Sequence, residues 1–244
     1  MRVVSACLSV AAQKNCFFID MQTQDASADF LIKFWPWFEA NRQRLVIATV
    51  AAVAVFFIWY FITTQKEQKA VAAGQAYTQL ELAMPPNSTV QQVADAYLKI
   101  ASDYPGTIAG QRAQLQAAAL FFGAARYADA QTVFQQFLGA NNGSSLAASA
   151  QFGVAASLAA QSKLDDAAAA YRAVIGNYAD SAEALPAKFS LAQLLEAQGK
   201  LTEATSYYNE VMRSQVAGSL AQEAAERLAQ IQTKTAATQP TTKS

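Results

Sequence analysis

The strongest constraint on the fold is a self-similarity with a period of 37 residues. Four segments align without gaps: Val90–Ile100, Tyr127–Phe137, Leu164–Val174 and Leu201–Val211. An aromatic recurs at Tyr97, Phe134, Tyr171 and Tyr208, and an alanine recurs at Ala76, Ala113, Ala150 and Ala187. Repetition at this interval marks a stacked array in which each unit buries a face only against its neighbours. Between these markers the chain is rich in alanine, with apolar positions three and four apart, so it reads as helix throughout. Each period therefore folds as a helical hairpin.

The hairpin explains the recurring residue types. A small residue near the middle of each first helix (Ala118, Ala155, Ala192) admits the second helix closely. Ala130, Ala167 and Ala204 are the small residues facing it, and the aromatic row fills the space between hairpins. Gly199 permits the tight turn between two helices, and Ser162 and Ala125 take the same place less ideally. Pro105, Asn141-Asn142-Gly143 and Gly218-Ser219 mark the connectors. Residues 219–232 read as a closing helix with charges on its outer face. The polar tail 234–244 reads as disordered.

A second feature limits where such an array can reside. Leu45–Ile62 is an apolar run of eighteen residues without a charge, and it explains much of the excess in an apolar composition of 53%. At ~1.5 Å per residue a helix of roughly 20 residues crosses a hydrocarbon core ~30 Å thick. Trp35, Trp37 and Phe38 precede the run, and Trp59, Tyr60 and Phe61 end it, which suits the two interfaces. Arg42, Arg44 and Lys33 precede it, against Lys66 and Lys69 beyond. The positive-inside rule then places the N-terminus in the cytoplasm and the repeats outside. The run exceeds a signal-peptide core and no small-residue cleavage site follows it, so it reads as an uncleaved anchor. Val4-Ser5-Ala6-Cys7 resembles a lipoprotein box, but six residues leave no room for an apolar region before the cysteine. Met21 opens a more ordinary start, so residues 1–20 read as a mis-assigned start or a disordered leader.

Chemistry is poorly provided for. The chain has no histidine, which removes the commonest general base and metal ligand. Its two cysteines, Cys7 and Cys16, lie in the first sixteen residues. Neither a phosphate-binding glycine loop nor a CxxC motif is present. Asp165-Asp166, the adjacent acidic pair, opens a helix and complements its dipole. Residues 66–244 carry 13 basic and 14 acidic residues, so nothing points to a polyanion such as nucleic acid. The expectation is a non-enzymatic protein without cofactor or metal.

The repeat region resembles the tetratricopeptide family: small residue, turn glycine, leucine or tyrosine, alanine, aromatic, then a connector proline. It departs from the family in its period of 37 rather than the usual 34. Gln114, Gln151 and Lys188 stand where a tryptophan is expected, and Ile100, Phe137, Val174 and Val211 where an alanine is expected. The first repeat, with Glu81 at the small position and Pro85-Pro86 in its connector, reads as a degenerate cap. The resemblance implies an all-α chain: one transmembrane helix followed by an α-solenoid of hairpins. The segments are a juxtamembrane 21–44, a span 45–63, repeats over 64–233 and the tail. It also implies that first helices line the concave face, with Leu115, Phe122, Phe152, Phe189, Gln193 and Glu196 facing a partner. Phe152 and Phe189 have a second reading, as inter-repeat core.

In order and proportion the chain is similar to bacterial inner-membrane proteins that serve as ancillary subunits of the secretory translocon. It resembles them locally at Trp37-Phe38-Glu39-Ala40-Asn41. That resemblance implies a periplasmic repeat domain that holds or hands over exported chains, with translocon subunits and a periplasmic chaperone as partners and lipid around the span. A scaffold of an envelope assembly complex, for the outer membrane or the cell wall, is the alternative.

Overall fold

The computed structural model describes residues 25–85 and 87–238, with side chains described from 37 to 234. The readings for residues 1–20 and for the last six residues of the tail lie outside them. Among the described residues there are nine α-helices and no strand. They are α1 (Asp25–Ala83), α2 (Val90–Asp103), α3 (Ile108–Gly123), α4 (Tyr127–Asn141), α5 (Ala147–Ala160), α6 (Leu164–Asn177), α7 (Ala184–Ala197), α8 (Leu201–Arg213) and α9 (Ser219–Thr238). The chain divides into two compact units, residues 1–63 and 64–244.

Segment bounds drawn from polarity are not helix ends. Helix α1 passes without interruption through positions 44, 45 and 63. Those positions mark a change of side-chain polarity, and polarity does not end a helix where backbone hydrogen bonds continue. Helix α9 likewise continues to Thr238. The domain end expected at 233 and the disorder expected from 234 are therefore too early by five residues. Ala236 and Ala237 are good helix formers, and the proline that would stop the helix comes only at 240.

In the second unit α3–α4, α5–α6 and α7–α8 form successive hairpins, and α9 packs on the last. The last part of α1 meets α2 through the Tyr77 and Tyr97 rings, whose centroids are 5.4 Å apart. First helices of neighbouring hairpins also touch (α3–α5, α5–α7, α7–α9), whereas α4–α6 and α6–α8 do not. Like helices approach on one side only, and that side forms the inner face of the array.

The hairpin turns repeat with the period. Ala125, Ser162 and Gly199 adopt φ of 59°, 62° and 76°. Each turn is closed by the same two backbone bonds. The N–H of Arg126, Lys163 and Lys200 donates to the carbonyl of Phe121, Leu158 and Leu195, at 2.8, 3.0 and 2.9 Å. The turn residue itself donates to Phe122, Ala159 and Glu196 at 3.0, 2.9 and 2.9 Å. This is the Schellman arrangement, which satisfies carbonyls the helix end would leave open. The helices that follow have no side-chain N-cap; Asp129, Asp165, Asp166 and Glu203 stand in their first turns instead. Helices α2 and α3, which follow longer connectors, are capped by Thr89 and Thr107.

Candidate functional site: the inner face of the array

The second-helix aromatics set the geometry of this face. Tyr97, Phe134, Tyr171 and Tyr208 are buried, none more than 7% exposed. Tyr171 and Tyr208 each meet a first-helix phenylalanine nineteen positions before them. Phe152 meets Tyr171 edge-on at 5.6 Å and 63°, and Phe189 meets Tyr208 the same way at 5.7 Å and 63°. On the other side the Phe134 ring lies against Gly153, where an added Cβ would come within 2.5 Å of it. Tyr171 hydrogen-bonds Ser190, the residue 37 beyond Gly153.

The small residues are all in the interior. Ala118, Ala155, Ala192, Ala130, Ala167 and Ala204 have no exposed surface. A larger side chain at any of them would push two helices apart.

The six expected partner-facing residues divide. Leu115 is half-buried and lines a cavity of ≈ 390 Å³ with Tyr77, Arg112, Gln116 and Phe134. Gln193 and Glu196 are half-buried and line a second cavity of ≈ 540 Å³, with Leu201, Arg227 and Ile231. Phe122 is half-buried, edge-on to Tyr127 at 5.2 Å. Phe152 is half-buried against Tyr171. Phe189 is a correction: at 6% exposure it belongs to the core and offers no open face. The reason is the edge-on packing with Tyr208, which an alignment of first helices alone does not reveal.

Electrostatics concentrate at the tyrosines. The Tyr208 hydroxyl donates to a Glu196 carboxylate oxygen at 2.9 Å. Burial, then that hydrogen bond and charge, push Tyr208 well above the usual phenol range, while Arg227 pulls it back. Tyr77 is pushed up to about 12 by burial, by Tyr97 and by Glu81, with Arg112 opposing. Tyr97 and Tyr171 are also raised, burial being the largest cause in each. These phenols stay protonated across the physiological range and serve as hydrogen-bond donors and packing groups.

Reasoning from first helices alone missed Arg112, Gly153, Glu223 and Arg227. Stepping the period onward was the available signal, since Gln116, Gly153, Ser190 and Arg227 occupy one row at 37-residue intervals.

A family model described as a tetratricopeptide repeat-like domain matches residues 36–174, more than half of the chain. No curated protein matches it. Among solved structures it is similar to two crystal structures of a Podosopora anserina protein, titled as of kinesin light chain type with nearly identical TPR-like repeats. One of these is a point variant at 15% identity, covering 71% of this chain and 97% of that one, with a TM-score of 0.45. The other gives 15%, 72%, 98% and 0.44. MamA MSR-1 C2 is similar at 14% identity, covering 67% and 94%, with a TM-score of 0.42.

Proposed function

We propose a function from one premise: the chain belongs to the tetratricopeptide repeat-like domain family, and its repeats form a protein–protein interaction module. In this reading the module is anchored in a bacterial inner membrane and faces the periplasm. It acts beside the secretory translocon as a non-enzymatic, chaperone-like subunit that receives exported chains.

One observation carries the anchor. Of the described helices, α1 alone is long and apolar enough to cross a membrane, and its most apolar stretch buries none of its side chains within the molecule. Val46, Ile47, Val50, Val53, Val55, Phe57, Ile58 and Phe61 are each 53–69% exposed. A helix of a water-soluble domain turns such a stripe inward. A bilayer accepts the whole circumference, since all its backbone groups are satisfied within the helix. Arg42 and Arg44 before the stretch favour a cytoplasmic N-terminus. The translocon reading rests on the resemblance at Trp37–Asn41. An envelope-assembly scaffold is the second reading, supported by the same array without that local likeness.

Photo-cross-linking in cells from positions 115, 152 and 193, with captured proteins identified by mass spectrometry, tests this. Translocon subunits and assorted exported chains are the expected products. One dominant outer-membrane or cell-wall assembly partner selects the scaffold reading. Cytoplasmic partners alone overturn the orientation.

A further inference from the structure

The inner face is not uniform along its length. Across the array one row of first-helix positions reads Leu82, Ala119, Ala156, Gln193, Gln230, stepping by 37. The neighbouring row reads Leu115, Phe152, Phe189, Glu226, and a third reads Phe122, Ala159, Glu196. The first and third rows turn polar at α7, and the second turns polar at α9. The apolar end is open to solvent: Leu82 is 82% exposed, Ala119 is exposed, and Leu115 and Phe152 are half-buried. The charged group lining its cavity is Arg112. At the opposite end Glu196, Glu223 and Arg227 all lie close enough to Tyr208 to act on its hydroxyl. With exposed Glu226 and Lys234, that end presents three carboxylates against two cations.

We propose that this face takes an extended polypeptide segment whose apolar stretch carries basic residues at one end. The apolar part lies over Leu115, Ala119 and Ala156, and the basic residues reach Glu196, Glu223 and Glu226. Charge decides the polarity: a basic residue beside Arg112 is repelled, and one beside the carboxylates is attracted. From α3 to α9 there are three interhelix steps of roughly 8–10 Å. That distance takes about eight residues of extended chain at ~3.3 Å each. The inference rests on the protein-binding reading above and adds to it the chemistry of the bound segment.

The test uses the full chain in nanodiscs of zwitterionic lipid, with empty nanodiscs as the control. Fluorescent peptides carry eight Leu, Ala and Val residues ending in three lysines, or the same stretch ending in three glutamates. The lysine peptide should bind at least tenfold more tightly, with the preference shrinking in ~0.5 M salt. Glu223→Lys with Glu226→Lys should erase that preference while leaving the melting temperature unchanged, because both carboxylates are exposed. Ala119→Glu should weaken both peptides. Equal binding of the two peptides, unmoved by the charge reversal, overturns the basic-segment inference but leaves the groove in place. Binding of neither peptide by the folded chain overturns the groove itself.

Discussion

Two stretches of this chain are rich in apolar residues and end in opposite surroundings. Leu45–Ile62 is built mainly from valine, isoleucine and aromatic residues among alanines, and from Val46 onward its large side chains are all exposed. Helix α5 reads AASAQFGVAASLAA, and Ala147, Ala148, Ala150, Gly153, Val154, Ala155, Ser157 and Leu158 are all buried. It touches α3, α4, α6 and α7. Both are apolar, and length and side-chain size set them apart. The fourteen residues of α5 reach only ~21 Å, short of a ~30 Å hydrocarbon core. Its alanines and glycine bring four helices within contact. The longer, bulkier stretch has no buried side chain in its most apolar window, which suits the proposed membrane span.

The sharpest way to break this contrast is the same substitution in both places. Ala155→Asp puts a carboxylate at a site with no exposed surface and no partner, and should cost about 4 kcal/mol or more, enough to unfold the array. Ala52→Asp should leave the melting of the array unchanged. It should instead weaken membrane insertion by ~3 kcal/mol, read as release by alkaline extraction. A comparable fall in melting temperature for Ala52→Asp would mean that the stretch packs within the folded protein.

Glycine gives the next largest effect, with opposite signs at two sites. Gly153→Ala would drive a Cβ to 2.5 Å from the Phe134 ring and should destabilise by about 1–3 kcal/mol in thermal melts. Gly74, inside α1, has open space where its Cβ would be, so Gly74→Ala should stabilise by about 0.5–1 kcal/mol. If Gly153→Ala proves neutral, the ring has another place to go and the aromatic row is not rigid.

Much of this packing was legible in the sequence because the period acts as a ruler. The hairpins, the αL turns at Ala125, Ser162 and Gly199, and the interior alanines all follow from small or aromatic residues at fixed offsets. What escaped depends on contacts between different offsets. The sequence leaves Phe189 open between groove and core, and the contact with Tyr208, nineteen residues on, puts it in the core. Ser157 stands where Leu120 and Leu194 stand in the neighbouring hairpins, and its hydroxyl is buried without a partner. A polar residue at a core position carries no sequence mark of its own. Helix α9 runs past the end that polarity suggests at 232, because composition reports surroundings and hydrogen bonds decide where a helix stops.

The tyrosines offer a subtler test. An unfolded chain releases phenol protons near pH 10, whereas Tyr77 in the folded chain holds its proton to about 12, and Tyr97, Tyr171 and Tyr208 are shifted the same way. The unfolded state therefore loses protons first, and stability should fall as pH rises above 10. Urea midpoints at pH 9 and pH 11 read this directly. Tyr208→Phe, which lacks the group, should flatten the dependence; an unchanged slope would place the titration elsewhere.

The smallest effect comes from the three turns, which share a backbone geometry and differ only in the side chain that must adopt it. The left-handed conformation costs an ordinary residue about 1–2 kcal/mol, and glycine adopts it freely. Glycine gives part of that back through the greater entropy of its unfolded chain. Ala125→Gly and Ser162→Gly should therefore each raise stability by about 0.5 kcal/mol, and Gly199→Ala should lower it by about 1 kcal/mol. Because the same two bonds close all three turns, these values should be nearly additive in the triple comparison. A loss of stability from Ala125→Gly would show that its methyl group makes a contact worth more than the strain it suffers.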